Sequence, residues 1–244
     1  MRERSSGRPF LSSFARIVPV AATILATLGL ASAGSVLGAT SSTPFALSYL
    51  SGTSGPASGG TSINLVGNQF SPSATVTIGG VGAGAVVTSS TLIKATSPGL
   101  TAGALYDVIV NNGGPASVIP KGWLSDFGDV AQASPFHAPV ETIIRDGITA
   151  GCGGGNYCPA SPVTRAQMAV FLLKTKEGSG YAPPPAVGIF GDVPASDNFA
   201  PWIEEIYNRQ ITGGCQASPL LYCPSNPNTR GQMAVFLVKT FSLP

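Results

Sequence analysis

An internal repeat fills the second half of this 244-residue sequence and limits its fold more than any other feature. Phe127-Gly128-Asp129-Val130 recurs as Phe190-Gly191-Asp192-Val193. The 63-residue offset holds through Phe136/Phe199, Ile148/Ile211, Thr149/Thr212 and Cys152/Cys215. Beyond these cysteines the offset becomes 65, because the second loop is two residues longer. It then matches Tyr157/Tyr222, Cys158/Cys223, Pro159/Pro224, Thr164/Thr229 and Arg165/Arg230. The run Gln-Met-Ala-Val-Phe-Leu is identical at residues 167–172 and 232–237. Self-similarity of this kind marks one supersecondary unit used twice.

Each copy reads as helix, loop, helix. Phe136, Val140, Ile143 and Ile144 stand at i, i+4, i+7 and i+8, and Phe199, Ile203, Ile206 and Tyr207 repeat the steps. That spacing predicts one buried helical stripe. Thr164-Arg165-Ala166-Gln167 and Thr229-Arg230-Gly231-Gln232 are capping boxes that open the second helix of each copy. Met168, Phe171 and Leu172 are expected in the core, as are Met233, Phe236 and Leu237. The segment 178–189, with Pro183, Pro184 and Pro185, is a spacer between the copies.

Arg2, Arg4, Arg8 and Arg16 precede an apolar stretch at residues 17–30 and then Ala31-Ser32-Ala33. These are the three parts of a secretory signal, expected over residues 1–33, and a cut after Ala39 also fits. An uncleaved anchor helix is the alternative, for which the apolar run is short. Export makes an even cysteine count read as disulfides. Cys152 lies near Cys158 and Cys215 near Cys223, two local pairs. A four-cysteine zinc site is the alternative, although neither pair has the C-x₂₋₄-C spacing of zinc knuckles.

Residues 44–120 are almost uncharged, with Lys94 and Asp107 their only charged side chains. Short β-branched runs at 62–66, 75–78, 85–88, 91–95 and 106–111 alternate between turn residues. That period of two predicts an antiparallel sandwich. Trp123 is expected to end the sandwich and to pack its joint with the repeats.

Two family resemblances emerge from these residues. The stretches SGPASGGTSINLVGNQF, ATVTIGG and STLIKATSPGLTAGALYDVIVNNGG, with the Gly59-Gly60-Thr61 turn and Phe70, resemble an IPT/TIG domain. That resemblance implies an immunoglobulin-like β-sandwich over 44–120, a spacer or protein-binding module without catalytic residues. The repeats, at 127–177 and 190–244, resemble S-layer homology (SLH) repeats. The motifs that carry the likeness are Phe-Gly-Asp-Val, Ile148-Thr149 and Ile211-Thr212-Gly213, Tyr157 and Tyr222 two residues before a proline, and the Thr-Arg-x-Gln boxes. The fold expected is therefore multi-domain: an N-terminal all-β sandwich followed by all-α helix-loop-helix repeats. SLH repeats typically anchor exported proteins non-covalently to wall glycans, three around a pseudo-threefold axis. Here there are two, and cysteine loops replace the family's Asp-Gly loop.

The resemblance makes Arg165 and Arg230 glycan-binding candidates, with Trp202 and Tyr157 as rings that stack on sugars. A guanidinium fork suits a carboxylate, and a helix N-terminus favours an anion. The competing reading pairs each arginine with an acid, Asp129 or Asp192, and places the rings in the core. His137 has Ala200 as its counterpart and reads as a surface residue, and Glu204-Glu205 reads as a solvated helix face. Asp197 and Ser196 read as helix caps, not as calcium ligands.

The remaining composition excludes several classes. Beyond residue 33 nine basic and ten acidic residues remain, so nucleic acid is not an expected partner. One histidine argues against His-dependent triads and haem. No P-loop, nucleophile elbow or dinucleotide fingerprint occurs, and the glycine run at 79–84 lacks the spacing. No catalytic residue, metal or cofactor is expected. The expectation is an exported, non-enzymatic envelope protein held to cell-wall or envelope polysaccharide or peptidoglycan, without membrane contact once the signal is cut. The alternative is a secreted module that binds other envelope proteins or a second copy of itself.

Overall fold

The computed structural model describes residues 44–244, so the export signal expected at 1–33 lies outside the described residues. The first half contributes eight strands, β1 (Ala46–Leu50), β2 (Ser54–Gly55), β3 (Ser62–Asn68), β4 (Thr75–Ile78), β5 (Val81–Ser89), β6 (Leu92–Thr96), β7 (Ala104–Asn111) and β8 (Ala116–Ser125). They hydrogen-bond in the order β1-β3-β6-β5-β4-β7-β8-β2. Strand β5 turns the corner: residues 81–83 pair with β4 and residues 84–89 with β6. The sheet thereby folds into two layers. Ile63, Leu65 and Ile93 from one layer meet Val76, Ile78, Val108 and Val110 from the other in a single buried cluster. The Leu47 amide donates to Ser117 Oγ at 3.0 Å and ties β1 to β8.

The glycine run at 79–84 is a hairpin. Gly79 and Gly80 hold φ of 61° and 79°, the left-handed pair that a tight two-residue turn requires. Strand β8 is not among the runs the sequence marks, because Pro120, Lys121 and Gly122 interrupt its alternation. The Lys121 amide donates to Asp107 Oδ1 at 2.7 Å across a bulge opposite Tyr106–Val108. A bulge absorbs the irregularity and lets the strand continue to Ser125. Trp123 is buried in the sandwich core, not at the joint. Its neighbour Leu124 points the other way, into a cluster with Phe127, Val130, Val140 and Ile144.

The second half contributes α1 (His137–Arg145), α2 (Arg165–Glu177), α3 (Ala200–Asn208) and α4 (Arg230–Phe241). A two-stranded hairpin, β9 (Gln216–Ala217) and β10 (Leu220–Leu221), fills the longer cysteine loop. Both capping boxes form: Thr164 Oγ1 accepts from the Gln167 amide and Thr229 Oγ1 from the Gln232 amide, each at 3.2 Å. Thr164→Ala is expected to lower stability by about 1 kcal/mol in a denaturant titration, the usual worth of a cap. Phe136 and Phe199 do not join the helical stripes. Each is the N-cap residue of its helix, 58% and 38% exposed.

The first helix of each unit docks on whatever precedes it. Helix α3 packs on α2, with Ala200, Ile203 and Ile206 fully buried against Ala166, Ala169, Leu172 and Leu173. Helix α1 packs instead on the sandwich. Glu141 accepts from Thr53 Oγ1 at 2.8 Å and Ser54 Oγ at 3.2 Å, and Arg145 donates to the Lys121 and Thr53 carbonyls. His137 is no free surface residue: its Nε2 lies 3.0 Å from Asp126 Oδ1 in the same joint. Glu204, the counterpart of Glu141, is also not solvated. It is 5% exposed and accepts three backbone amides, from Val187, Gly188 and Ile189, at 2.7–2.9 Å. Glu205 is taken by Arg209 and Tyr181. The proline spacer is thus pinned along α3.

Candidate functional site

The Asp of each Phe-Gly-Asp-Val motif fixes the downstream cysteine loop. Asp129 accepts the Tyr157 and Cys158 amides at 2.8 and 2.7 Å, and Asp192 accepts those of Tyr222 and Cys223 at the same distances. Burial pushes the Asp129 carboxyl up, but the backbone amides outweigh it and hold it below the ordinary carboxylate range. Both cysteine pairs are bonded, Cys152 to Cys158 and Cys215 to Cys223. With all four sulfurs bonded in pairs, none is a thiolate that could serve the four-cysteine zinc alternative. Asp192 lies beside Cys215 and Cys223, but these two sulfurs are bonded to each other and the carboxylate accepts two backbone amides.

Neither arginine pairs with Asp129 or Asp192, since both carboxylates are already engaged. Among the described residues no ion pair includes Arg165 or Arg230. Arg165 is instead 4% exposed at the junction of the two units. Its Nε donates to the Tyr222 carbonyl at 2.9 Å, and the Tyr222 hydroxyl donates back to the Arg165 carbonyl at 2.7 Å. Its guanidinium lies 4.7 Å from the Tyr222 ring centre and 5.5 Å from that of Phe236. Such stacking stabilises a planar cation without neutralising it. One terminal nitrogen, Nη2, is buried with no partner. A buried charge that lacks a counter-ion is costly, and an anion bound beside it offsets that cost.

Arg165 lines a cleft of about 210 Å³ between the units. Thr212, Gly213, Gly214, Gln232, Phe236 and Lys239 line it with Arg165. Gly214 holds φ of 86°, and a Cβ there would lie 2.5 Å from the Leu221 carbonyl oxygen, so only glycine fits the wall. Space opens beside Gly213, where a Cβ would meet nothing within 4 Å. The start of α2 supplies no free amides. Those of Arg165 and Ala166 donate to the Asn226 and Pro224 carbonyls, so the cation, not the helix end, is what faces an anion.

The structure does not bring the other candidates to this cleft. Thr149, Gly151, Gln167 and Phe171 line a cleft of about 180 Å³ in the first unit, together with Tyr157. They are the counterparts of Thr212, Gly214, Gln232 and Phe236. No arginine joins them, because the sandwich precedes that unit where α2 precedes the other. Trp202 packs edge-on against Tyr181, with Lys174 Nζ 6.0 Å from its ring. Arg230 is exposed at the start of α4. Sequence reasoning missed Tyr222 and Phe236 as the rings that hold Arg165, and Lys239 and Gln232 as cleft residues. The identical Gln-Met-Ala-Val-Phe-Leu run signalled a shared role but not which copy would be buried.

No curated protein matches the sequence. Among solved structures, a plexin A4 extracellular region aligns at 21% identity and a TM-score of 0.28, over 32% of this chain and 8% of that one. An auxiliary nutrient binding protein from Bacteroides thetaiotaomicron aligns at 21% identity and 0.28, over 34% of this chain and 21% of its own. A putative phosphatase from the same organism aligns at 23% and 0.25, over 32% and 17%. The family comparisons match the IPT/TIG domain to residues 46–125 and the S-layer homology domain to 126–169. Neither is a catalytic family, and SLH domains typically anchor proteins to cell-wall polysaccharide. The chain therefore carries an N-terminal IPT/TIG domain followed by a helical region that contains an SLH domain.

Proposed function

We propose that this is an exported, non-enzymatic envelope protein that grips an acidic wall or envelope glycan in the cleft around Arg165. The sandwich acts as spacer or interaction module. Residues 190–244 act as a second SLH repeat, and the cleft forms where the two repeats meet. The observation that supports this reading is the buried Arg165 guanidinium, stacked on two rings, without a carboxylate and with Nη2 unpartnered. A fixed fork of this kind suits the carboxylate of an acidic sugar. Thr212 and the open backbone at Gly213 leave room for the ring that carries it.

Sedimentation with purified wall polysaccharide and with peptidoglycan tests it. The oxidised chain is expected to pellet saturably with one of them. Arg165→Gln is expected to weaken pelleting by about 10- to 100-fold, the range for losing a hydrogen bond to a charged group. Arg230→Gln is expected to pellet as the parent does, because Arg230 lies outside the cleft. Circular dichroism establishes that both variants are folded, and Arg165→Lys keeps the charge without the fork. A folded Arg165→Gln protein that pellets unchanged refutes the reading. So does a parent chain that pellets with neither glycan.

A further inference from the structure

The cleft of the first unit differs from its twin in what faces its two rings. In the second unit the Arg165 guanidinium lies over Tyr222 and Phe236, and the Tyr222 hydroxyl donates to the Arg165 carbonyl. The counterparts of those rings, Tyr157 and Phe171, line the first cleft of about 180 Å³. Among the described residues no cation lies over either of them. Phe171 is half-buried where Phe236 is buried. Burial alone pushes the Tyr157 hydroxyl above its ordinary value, and among the described residues no group hydrogen-bonds to it. The other polar groups of the cleft are neutral. Thr149 Oγ1 accepts the Gly151 amide at 3.3 Å and keeps its own proton to donate. Gln167 Oε1 accepts the Thr164 amide at 2.9 Å, which leaves its Nε2 hydrogens to a ligand. Ser161 adds an exposed hydroxyl. No charged side chain lines the cleft, and Asp129, which fixes its loop, is engaged by the Tyr157 and Cys158 amides.

We propose that this cleft is a second binding site, for an uncharged sugar, held by Tyr157, Phe171, Thr149, Ser161 and Gln167. The chemistry of the lining selects that class. A sugar ring offers C–H faces to aromatic rings and hydroxyls that both donate and accept, which neutral partners satisfy. An acidic sugar would bring a charge into a cleft without a counter-ion, at a desolvation cost that nothing there offsets. The volume holds one ring, so the site reads a single sugar and binds it in the millimolar range. The two clefts thus divide by charge, the acid going to Arg165 and the neutral sugar to the first unit. Capture of a polymer through Arg165 does not require the first cleft, which adds recognition of an uncharged sugar to it.

Saturation-transfer NMR on the oxidised chain, with glucose, galactose, mannose and N-acetylglucosamine as probes, reads the outcome. At least one of the four is expected to bind saturably, with a dissociation constant of about 1–10 mM. Tyr157→Phe removes the hydroxyl and keeps the ring, and is expected to weaken that binding about 3- to 10-fold. Phe171→Leu keeps the apolar packing without the ring face and is expected to weaken it as well. Circular dichroism establishes that both variants are folded. Arg165→Gln is expected to leave the uncharged sugar bound as in the parent, because Arg165 does not line this cleft. No saturable binding of any of the four up to about 50 mM overturns the proposal. So does binding that both folded variants retain in full, or that Arg165→Gln abolishes. The reading of the Arg165 cleft stands or falls separately, on pelleting with wall glycans.

Discussion

Glu204→Ala is expected to cost the protein about 3 kcal/mol, since it removes three hydrogen bonds to a buried charge that is 5% exposed. The loss exceeds that of an ordinary surface acid because the Val187, Gly188 and Ile189 amides have no other acceptor in the spacer. Denaturant midpoints measured at neutral pH give the number. The same group sets a pH dependence. Burial pushes the Glu204 carboxyl up, yet the three amides outweigh it and the net position is below the ordinary 4.5. A carboxyl lowered on folding contributes fully above its unfolded value and loses that contribution as pH falls through its folded value. Stability is therefore expected to be flat from neutrality to about pH 5 and to fall steadily below 4.5. Glu204→Gln removes the charge and is expected to flatten part of that fall. Glu141, Glu205 and Asp129, also held low by their partners against burial, contribute to the remainder. A Gln variant with the parent's acid limb refutes the assignment.

Replacing Cys215 and Cys223 together by Ser is expected to cost about 2.5 kcal/mol by loop-closure entropy alone. It is also expected to remove glycan pelleting. The closed loop carries Tyr222, whose carbonyl and hydroxyl hold Arg165, and it fixes Gly214 against the Leu221 carbonyl. The Cys152–Cys158 loop has no such duty. A Cβ at Gly155 would sit 2.9 Å from Ala102 Cβ, so that loop braces the sandwich. Cys152→Ser with Cys158→Ser is expected to lower stability by a similar amount and to leave pelleting intact. Thermal melts and sedimentation on the two paired variants separate the roles. Equal loss of binding in both refutes the distinction.

Much of this architecture is legible in the chain because it rests on local rules. Strand alternation at 75–78 is reproduced to the residue. The Thr-x-x-Gln boxes start α2 and α4 where the sequence places them, since both partners of a box lie within one helical turn. The cysteine pairs need only proximity in sequence. Strand β8 is obscured because its bulge at Lys121 depends on a partner, Asp107, fourteen residues away.

Short-range chemistry is enough to define the units: a sandwich from period-two runs, two copies of one helical motif, and two short disulfide loops. Capping, alternation and turn residues act within a few positions, so the order of amino acids carries them unaided. The duties of the identical pieces come from packing at long range. Arg165 and Arg230 sit in the same motif, yet one is sealed by Tyr222 and Phe236 and the other is exposed. Leu172 and Leu237 close the same hexapeptide, yet one is buried and the other is not. Glu204 reads as a solvated acid until the spacer is laid across it. Burial is set by which neighbour a face meets, and in a repeat protein that neighbour is the adjoining unit.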